Sequence, residues 1–215
     1  MTTIVLLLLY ALGLAVATFI EKYQGTAVAQ SLVYHSALFI FLQALLVVNF
    51  LAVILRHRWL RKGRWGFMLT HFALIIILTG AFTTFLFSQD GTMHLREGET
   101  SNQILVRAER GKTVQTLPFS VELKNFTLTR YPGSSSPSSF ESEVVVHVDG
   151  EKRAERIYMN NVLDVNGYRF FQASYDSDEC GTVFTVSSDV AGRRITYAGY
   201  ALLLLGFVLC LFGRG

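Results

Sequence analysis

The sequence holds only two cysteines, Cys180 and Cys210, and they form no Cys-x-x-Cys pair. A disulfide framework, a thiol-redox couple and a covalent haem-attachment motif are therefore excluded. Equally missing are a nucleophile elbow, a dinucleotide-binding glycine loop, a phosphate-binding loop and zincin spacing, so no motif supports a hydrolase, a nucleotide enzyme or a metalloprotease. Charge is sparse too: Asp, Glu, Lys and Arg make up 16% of the chain, and all four are missing from several long runs. The formal net charge of +3 averages over two dissimilar surfaces and argues for no nucleic-acid partner.

What those runs contain is apolar side chains. Residues 4–20, 33–55, 66–87 and 195–212 underlie a hydrophobic share of 51% and a mean hydropathy of +0.39 in a chain of 215 residues. At 1.5 Å per residue, a run of about 22 residues spans about 33 Å, the thickness of the hydrocarbon core of a bilayer. The middle two runs exceed the usual crossing length and the outer two lie near its lower limit, which predicts four crossings. Residues 56–64 carry five Arg or Lys and no acid, which places that loop in the cytoplasm, with both termini on the same side. Residues 88–192 then lie outside, with ten basic and fifteen acidic side chains. Ala27-Val28-Ala29 resembles a cleavage tripeptide, yet no Lys or Arg precedes the first run and Glu21 and Lys22 follow it, so that run is expected to stay as an anchor. The expected layout is a three-helix membrane region over 1–87 with a basic loop at 56–65, an outer domain over 88–192, and a fourth crossing with a short cytoplasmic tail over 193–215.

In the outer domain, Phe119, Val121 and Leu123 alternate with polar residues, and Phe126 and Leu128 resume one residue out of phase. That pattern predicts two short strands or one bulged strand. Residues 142–148, 156–159, 168–173 and 182–187 are further strand candidates, 90–100 is a turn-rich exit with room for a short strand, and 132–139 is a Ser- and Pro-rich flexible connection. The predicted class is a mixed membrane protein: four transmembrane helices, with an antiparallel β-rich, sandwich-like domain between the third and fourth. Phe170, Phe171, Tyr175 and Phe184 read as its packing residues.

Two sets of small residues recur every seven positions, Gly66, Ala73 and Gly80 in the third run and Gly199, Gly206 and Gly213 in the fourth, and predict close-packing helix faces. Whether the two faces meet each other or a second subunit is open. His71 lies about 160° around the helix from Ala73, off that stripe. An interhelical hydrogen bond, axial ligation of a metal or haem, and proton transfer are all open to it. No Asp or Glu lies within a crossing to relay a proton, so ligation or packing fits better. Arg61, Lys62 and Arg64 precede His71 by one to three helical turns, close enough to meet the anionic end of a ligand held there, although anchoring the topology is the simpler role for the basic loop. Trp59, Trp65 and His57 fit the membrane boundary, and Gln43 and Asn49 read as interhelical hydrogen-bonding partners. His35 and His94 both fall near the predicted outer boundary, where a joint metal or haem site is an alternative to separate roles. His147 fits an exposed or hydrogen-bonded strand position.

Several stretches occur in a telling order: Phe19-Ile20-Glu21-Lys22-Tyr23-Gln24-Gly25-Thr26 with Val33-Tyr34, residues 71–84, Gly91-Thr92-Met93-His94-Leu95-Arg96-Glu97-Gly98-Glu99, residues 119–132, Val165-Asn166-Gly167-Tyr168 and Phe171-Gln172-Ala173-Ser174-Tyr175. Together with three crossings, an outer domain and a fourth crossing, they resemble the ResB-like, or CcsB-like, component of cytochrome c biogenesis over nearly the whole chain. The chain departs from that pattern at Phe85, where a basic residue is usual, and at Ala191-Gly192 in place of Pro-Gly. The resemblance implies a CcsA-like membrane partner carrying the tryptophan-rich haem-handling motif, which this chain lacks. It implies haem b as a transported substrate, His71 as its axial ligand opposite a histidine of the partner, and Arg61, Lys62 and Arg64 near its propionates. Apocytochrome c would be the acceptor. The expected setting is the lipid of the bacterial inner (cytoplasmic) membrane, with the outer domain in the periplasm or outside the cell. Two other readings remain: a structural scaffold subunit, and a quinone-linked haem electron carrier, which needs a second deep axial ligand.

Overall fold

The computed structural model describes residues 2–57, 64–108 and 111–212. They fall into two units, a helical one (Met1–Phe87 with Ala191–Gly215) and a β one (Ser88–Val190). Four helices of the first unit are long and apolar enough to cross a membrane: α1 (Thr2–Gln24), α3 (Ala37–His57), α4 (Trp65–Phe87) and α5 (Val190–Phe212). Their large apolar side chains face outward, with Leu8, Leu38, Leu204 and Leu211 exposed, the reverse of a water-soluble core and the arrangement a lipid solvent demands.

Two boundaries differ from the sequence expectation. The segment between the first two charge-free runs, expected as an outer loop, is largely helical, with α2 (Thr26–Ala29) running into a π-helical turn (Gln30–Tyr34). The His35 amide closes that turn on the Gln30 carbonyl at 2.8 Å, and the Ser36 hydroxyl then caps α3 by accepting from the Phe39 amide at 3.2 Å. The second crossing therefore begins at Ala37, not at 33. Helix α5 starts at Val190, ahead of the charge-free run, because Arg193 and Arg194 are accommodated at its end, where long cationic side chains reach water.

Helices α1 and α3 meet through Tyr10 stacked on Phe39 with centroids 5.1 Å apart, and through Gly13, where a Cβ would lie 3.0 Å from the Phe39 ring. Gln43 donates to the Tyr10 hydroxyl at 3.4 Å and Asn49 to Thr2 at 3.5 Å, the interhelical role expected of both amides. The two small-residue stripes meet each other. A Cβ on Gly66 would lie 2.7 Å from Cys210, one on Gly80 2.8 Å from the Thr196 nitrogen, one on Gly199 2.6 Å from Ile77, and one on Gly206 2.8 Å from Thr70. This order runs α4 and α5 antiparallel at backbone contact. Gly213 lies outside the described residues.

The β unit is one antiparallel sheet of eight strands in the order β5-β4-β3-β2-β1-β8-β7-β6. The strands are β1 (Gln89–Arg96), β2 (Thr100–Ala108), β3 (Gly111–Arg130), β4 (Pro137–Val148), β5 (Glu151–Tyr158), β6 (Leu163–Val165), β7 (Tyr168–Tyr175) and β8 (Gly181–Ser188). The sheet curls until β5 approaches β7 and β6, so its two layers are halves of a single near-barrel. The phase change expected after Leu123 is a bulge within one long strand, with the register against β4 shifting between Leu123 and Asn125. The connection expected over 132–139 is shorter, since β4 starts at Pro137. Inward residues Met93, Leu95, Val121, Leu123, Phe170 and Phe184 are all within 1% of complete burial. Phe170 and Phe184 take the predicted core positions, whereas Phe171 is 37% exposed.

Candidate functional site

His71 sits two turns into α4, partly buried, with its ring edge-on to Phe50 of α3 at 5.8 Å and 85°. Phe50 is itself only 2% exposed, so this contact fixes one side of the imidazole. On the other side Nδ1 lies 2.9 Å from the Phe67 carbonyl oxygen, one turn back. A carbonyl only accepts, so Nδ1 carries the proton and donates, and the ring's lone pair resides on Nε2. An imidazole anchored through one nitrogen to a backbone carbonyl is the arrangement that orients a histidine for metal or haem ligation through the other.

Arg64 stands immediately before α4, and its carbonyl accepts from the Met68 amide at 3.3 Å at the start of the first turn. The Arg64 guanidinium rests 5.3 Å over the Phe67 ring, so it is held on the His71 face while remaining exposed. Arg61 and Lys62 lie outside the described residues. The opposite face of α4 is taken up by α5, with Gly66, Thr70, Ala73 and Gly80 buried. The separation of His71 from the small stripe is thus borne out.

Among the other histidines, His57 at the end of α3 makes the same kind of anchor, its Nδ1 3.0 Å from the Val53 carbonyl oxygen. His35 meets the Phe85 ring edge-on at 5.0 Å within the helical unit. His94, on the outward face of β1, is held through Nε2 by both oxygens of Asp176 at 3.0 and 2.9 Å. His147 pairs with Glu122 at 3.2 Å, as its strand position suggested. No cluster of three or more His, Cys, Asp or Glu capable of holding a metal occurs among the described residues. Sequence reasoning missed Phe50 and Thr70 as neighbours of the ring. The Phe67-to-His71 spacing of four was the available signal.

Charges on the β unit are organised around the segment joining β7 to β8. Arg96 bridges Asp176, at 3.1 Å, and Asp178, while Arg130 at the end of β3 pairs with Glu179. The Asp178 carboxyl lies below its usual range because Arg96 and the Cys180 amide donate to it. Glu122 is lowered first by Lys124, which bonds it at 2.5 Å, and also by His147; Glu141 is lowered by Arg156.

Four lipid-facing helices and a curled sheet inserted between the third and fourth define a multi-pass membrane protein with one extramembrane β domain. Residues 61–191 match the model of the ResB-like family. Protein NrfI of Wolinella succinogenes is 32% identical over 307 aligned positions, which cover 96% of this chain and 34% of that protein, so the chain spans about a third of that relative's length. The solved structure of the cytochrome c haem lyase CcmF aligns with a TM-score of 0.45 and 13% identity over 96% of this chain and 34% of that one. The chain belongs to the ResB-like family.

Proposed function

We propose that this chain is the accessory membrane subunit of a cytochrome c synthase, which binds haem b within the membrane and helps export it for covalent attachment to apocytochrome c by a CcsA-like partner. Family membership supports the system. The anchored imidazole of His71, with Nδ1 2.9 Å from the Phe67 oxygen, carries the site assignment. Haem here is substrate rather than resident cofactor. His71 supplies one axial nitrogen and a partner histidine the other, while Arg64, with Arg61 and Lys62 of the basic loop, meets the propionates. The chain's own part is to hold and orient: Phe50 and the Phe67 carbonyl keep the ring at one angle, and the apolar faces of α3 and α4 keep water from the macrocycle. The five Arg or Lys of residues 56–64 support an orientation with the His71 end of α4 toward the cytoplasm and the β unit outside.

Gly66, Gly80, Gly199 and Gly206 are taken up in the contact of α4 with α5, so these glycines offer the scaffold reading no face for a second subunit. Replacing His71 by Ala in the complex copurified with its membrane partner is expected to reduce bound haem at least tenfold, while subunit assembly stays intact and added imidazole partly restores binding. Equal haem content and an unchanged absorption spectrum in H71A would exclude ligation by His71.

A further inference from the structure

Thr70 is a buried polar residue of α4, 8% exposed, and haem ligation as described gives it no task. Its hydroxyl donates to the Phe67 carbonyl at 2.9 Å, and the same oxygen takes the Nδ1–H of His71 at 2.9 Å. The helix itself directs the His71 backbone N–H to that carbonyl as well. Three donors therefore converge on an oxygen with two lone pairs. Each draws on the same electron density, and the Thr70 oxygen, 3.5 Å from Nδ1, stands too far off to replace the 2.9 Å bond, so the hydroxyl weakens the bond from His71 Nδ1–H.

The rotamer that does this is imposed by the fourth crossing. Threonine in a helix divides between two χ1 wells according to which carbonyl its hydroxyl reaches. Helix α5 passes so close that a Cβ on Gly206 would lie 2.8 Å from the Thr70 Cγ2 and 2.9 Å from its nitrogen. The Thr70 methyl thus points at the glycine, and the hydroxyl is left facing Phe67.

We infer that Thr70 is a positioning residue, held by Gly206, whose competition for the Phe67 carbonyl weakens the Nδ1 hydrogen bond that supports His71 as a ligand and so speeds release of haem. A hydrogen bond from the far nitrogen strengthens a histidine ligand, and altering such a bond typically changes metal affinity 10- to 100-fold. A carrier site needs the opposite adjustment, because it must give its cargo up. The inference rests on His71 being the haem ligand.

The test uses the full chain copurified with its membrane partner and loaded with haem b, with apomyoglobin as the scavenger. Thr70→Val keeps the shape and removes the hydroxyl; it is expected to slow haem release about tenfold and to make the reduction potential more negative. Thr70→Ser restores the hydroxyl and is expected to return both towards wild type. If H71A loses haem while T70V releases it at the wild-type rate or faster, Thr70 has no such role and the site reading stands. If H71A keeps its haem and spectrum, both fall.

Discussion

Glu122, Glu141 and Asp178 share one physical situation: each is a half-buried or exposed carboxylate held below its ordinary range by a basic neighbour. A depressed folded-state value means the unfolded chain takes up protons first as the pH falls. The pairings therefore support the fold fully above the unfolded carboxylate range, near pH 4, and that support is lost as pH falls through the depressed folded values. The β unit should hold its melting temperature from pH 7 to 5 and lose it steeply below 4, with Glu122→Gln, which removes one of the titrating groups, showing a shallower acid dependence. Scanning calorimetry across pH checks this, and an unchanged acid slope in the variant would remove Glu122 from the account. At this scale the candidate site was partly legible. His71 stood out because it is the one histidine deep in an apolar run, and Arg64 because it precedes that histidine by about two helical turns. Phe50 was hidden because it arrives from another helix, and Thr70 because its effect passes through a backbone carbonyl that no residue pattern displays.

At the scale of elements, the contact of α4 with α5 depends on residues lacking side chains. A Cβ at Gly80 would lie 2.2 Å from the Thr196 hydroxyl and 2.8 Å from its backbone nitrogen, so a larger residue must push the helices apart. Gly80→Leu is expected to cost about 1–3 kcal/mol, the usual range for overpacking. Leu204→Ala, at a position 66% exposed to lipid, should stay within about 0.5 kcal/mol. Thermal unfolding of the two variants in detergent separates these outcomes; equal shifts would show that the glycine contact is not what joins the helices. The seven-residue period announced both faces, but their pairing with each other needed three dimensions. Among the strands, the bulge in β3 was readable because a slipped alternation leaves a mark, and the hairpins at Asp149-Gly150 and Asn166-Gly167 follow from positive φ at both central residues, 50° and 83° in one, 49° and 86° in the other. Strand β2 escaped notice because its Ile104-Leu105-Val106 core is a continuous apolar run without alternation.

For the molecule as a whole, the decisive pairing is β1 with β8. The strand that follows the third crossing and the strand that precedes the fourth run antiparallel along their full lengths, from Gln89 opposite Ser188 to Arg96 opposite Gly181. The β unit thus starts and ends on neighbouring strands in the middle of its own sheet. Its core, from Met93 through Phe184 to Val186, is drawn from within that unit. Domains whose ends lie close together and whose core is self-contained fold without the chain they interrupt. Residues 88–190 expressed alone are therefore expected to form a monomer with β-type circular dichroism, dispersed amide resonances and a single cooperative melt. Truncation at 93–185 removes the first half of β1 and the last three residues of β8, breaking the pairing at one end, and is expected to lower the melting temperature by several degrees. If the excised unit were instead unfolded while the full chain remained folded in detergent, the membrane helices would have to supply stability that the strand pairing does not.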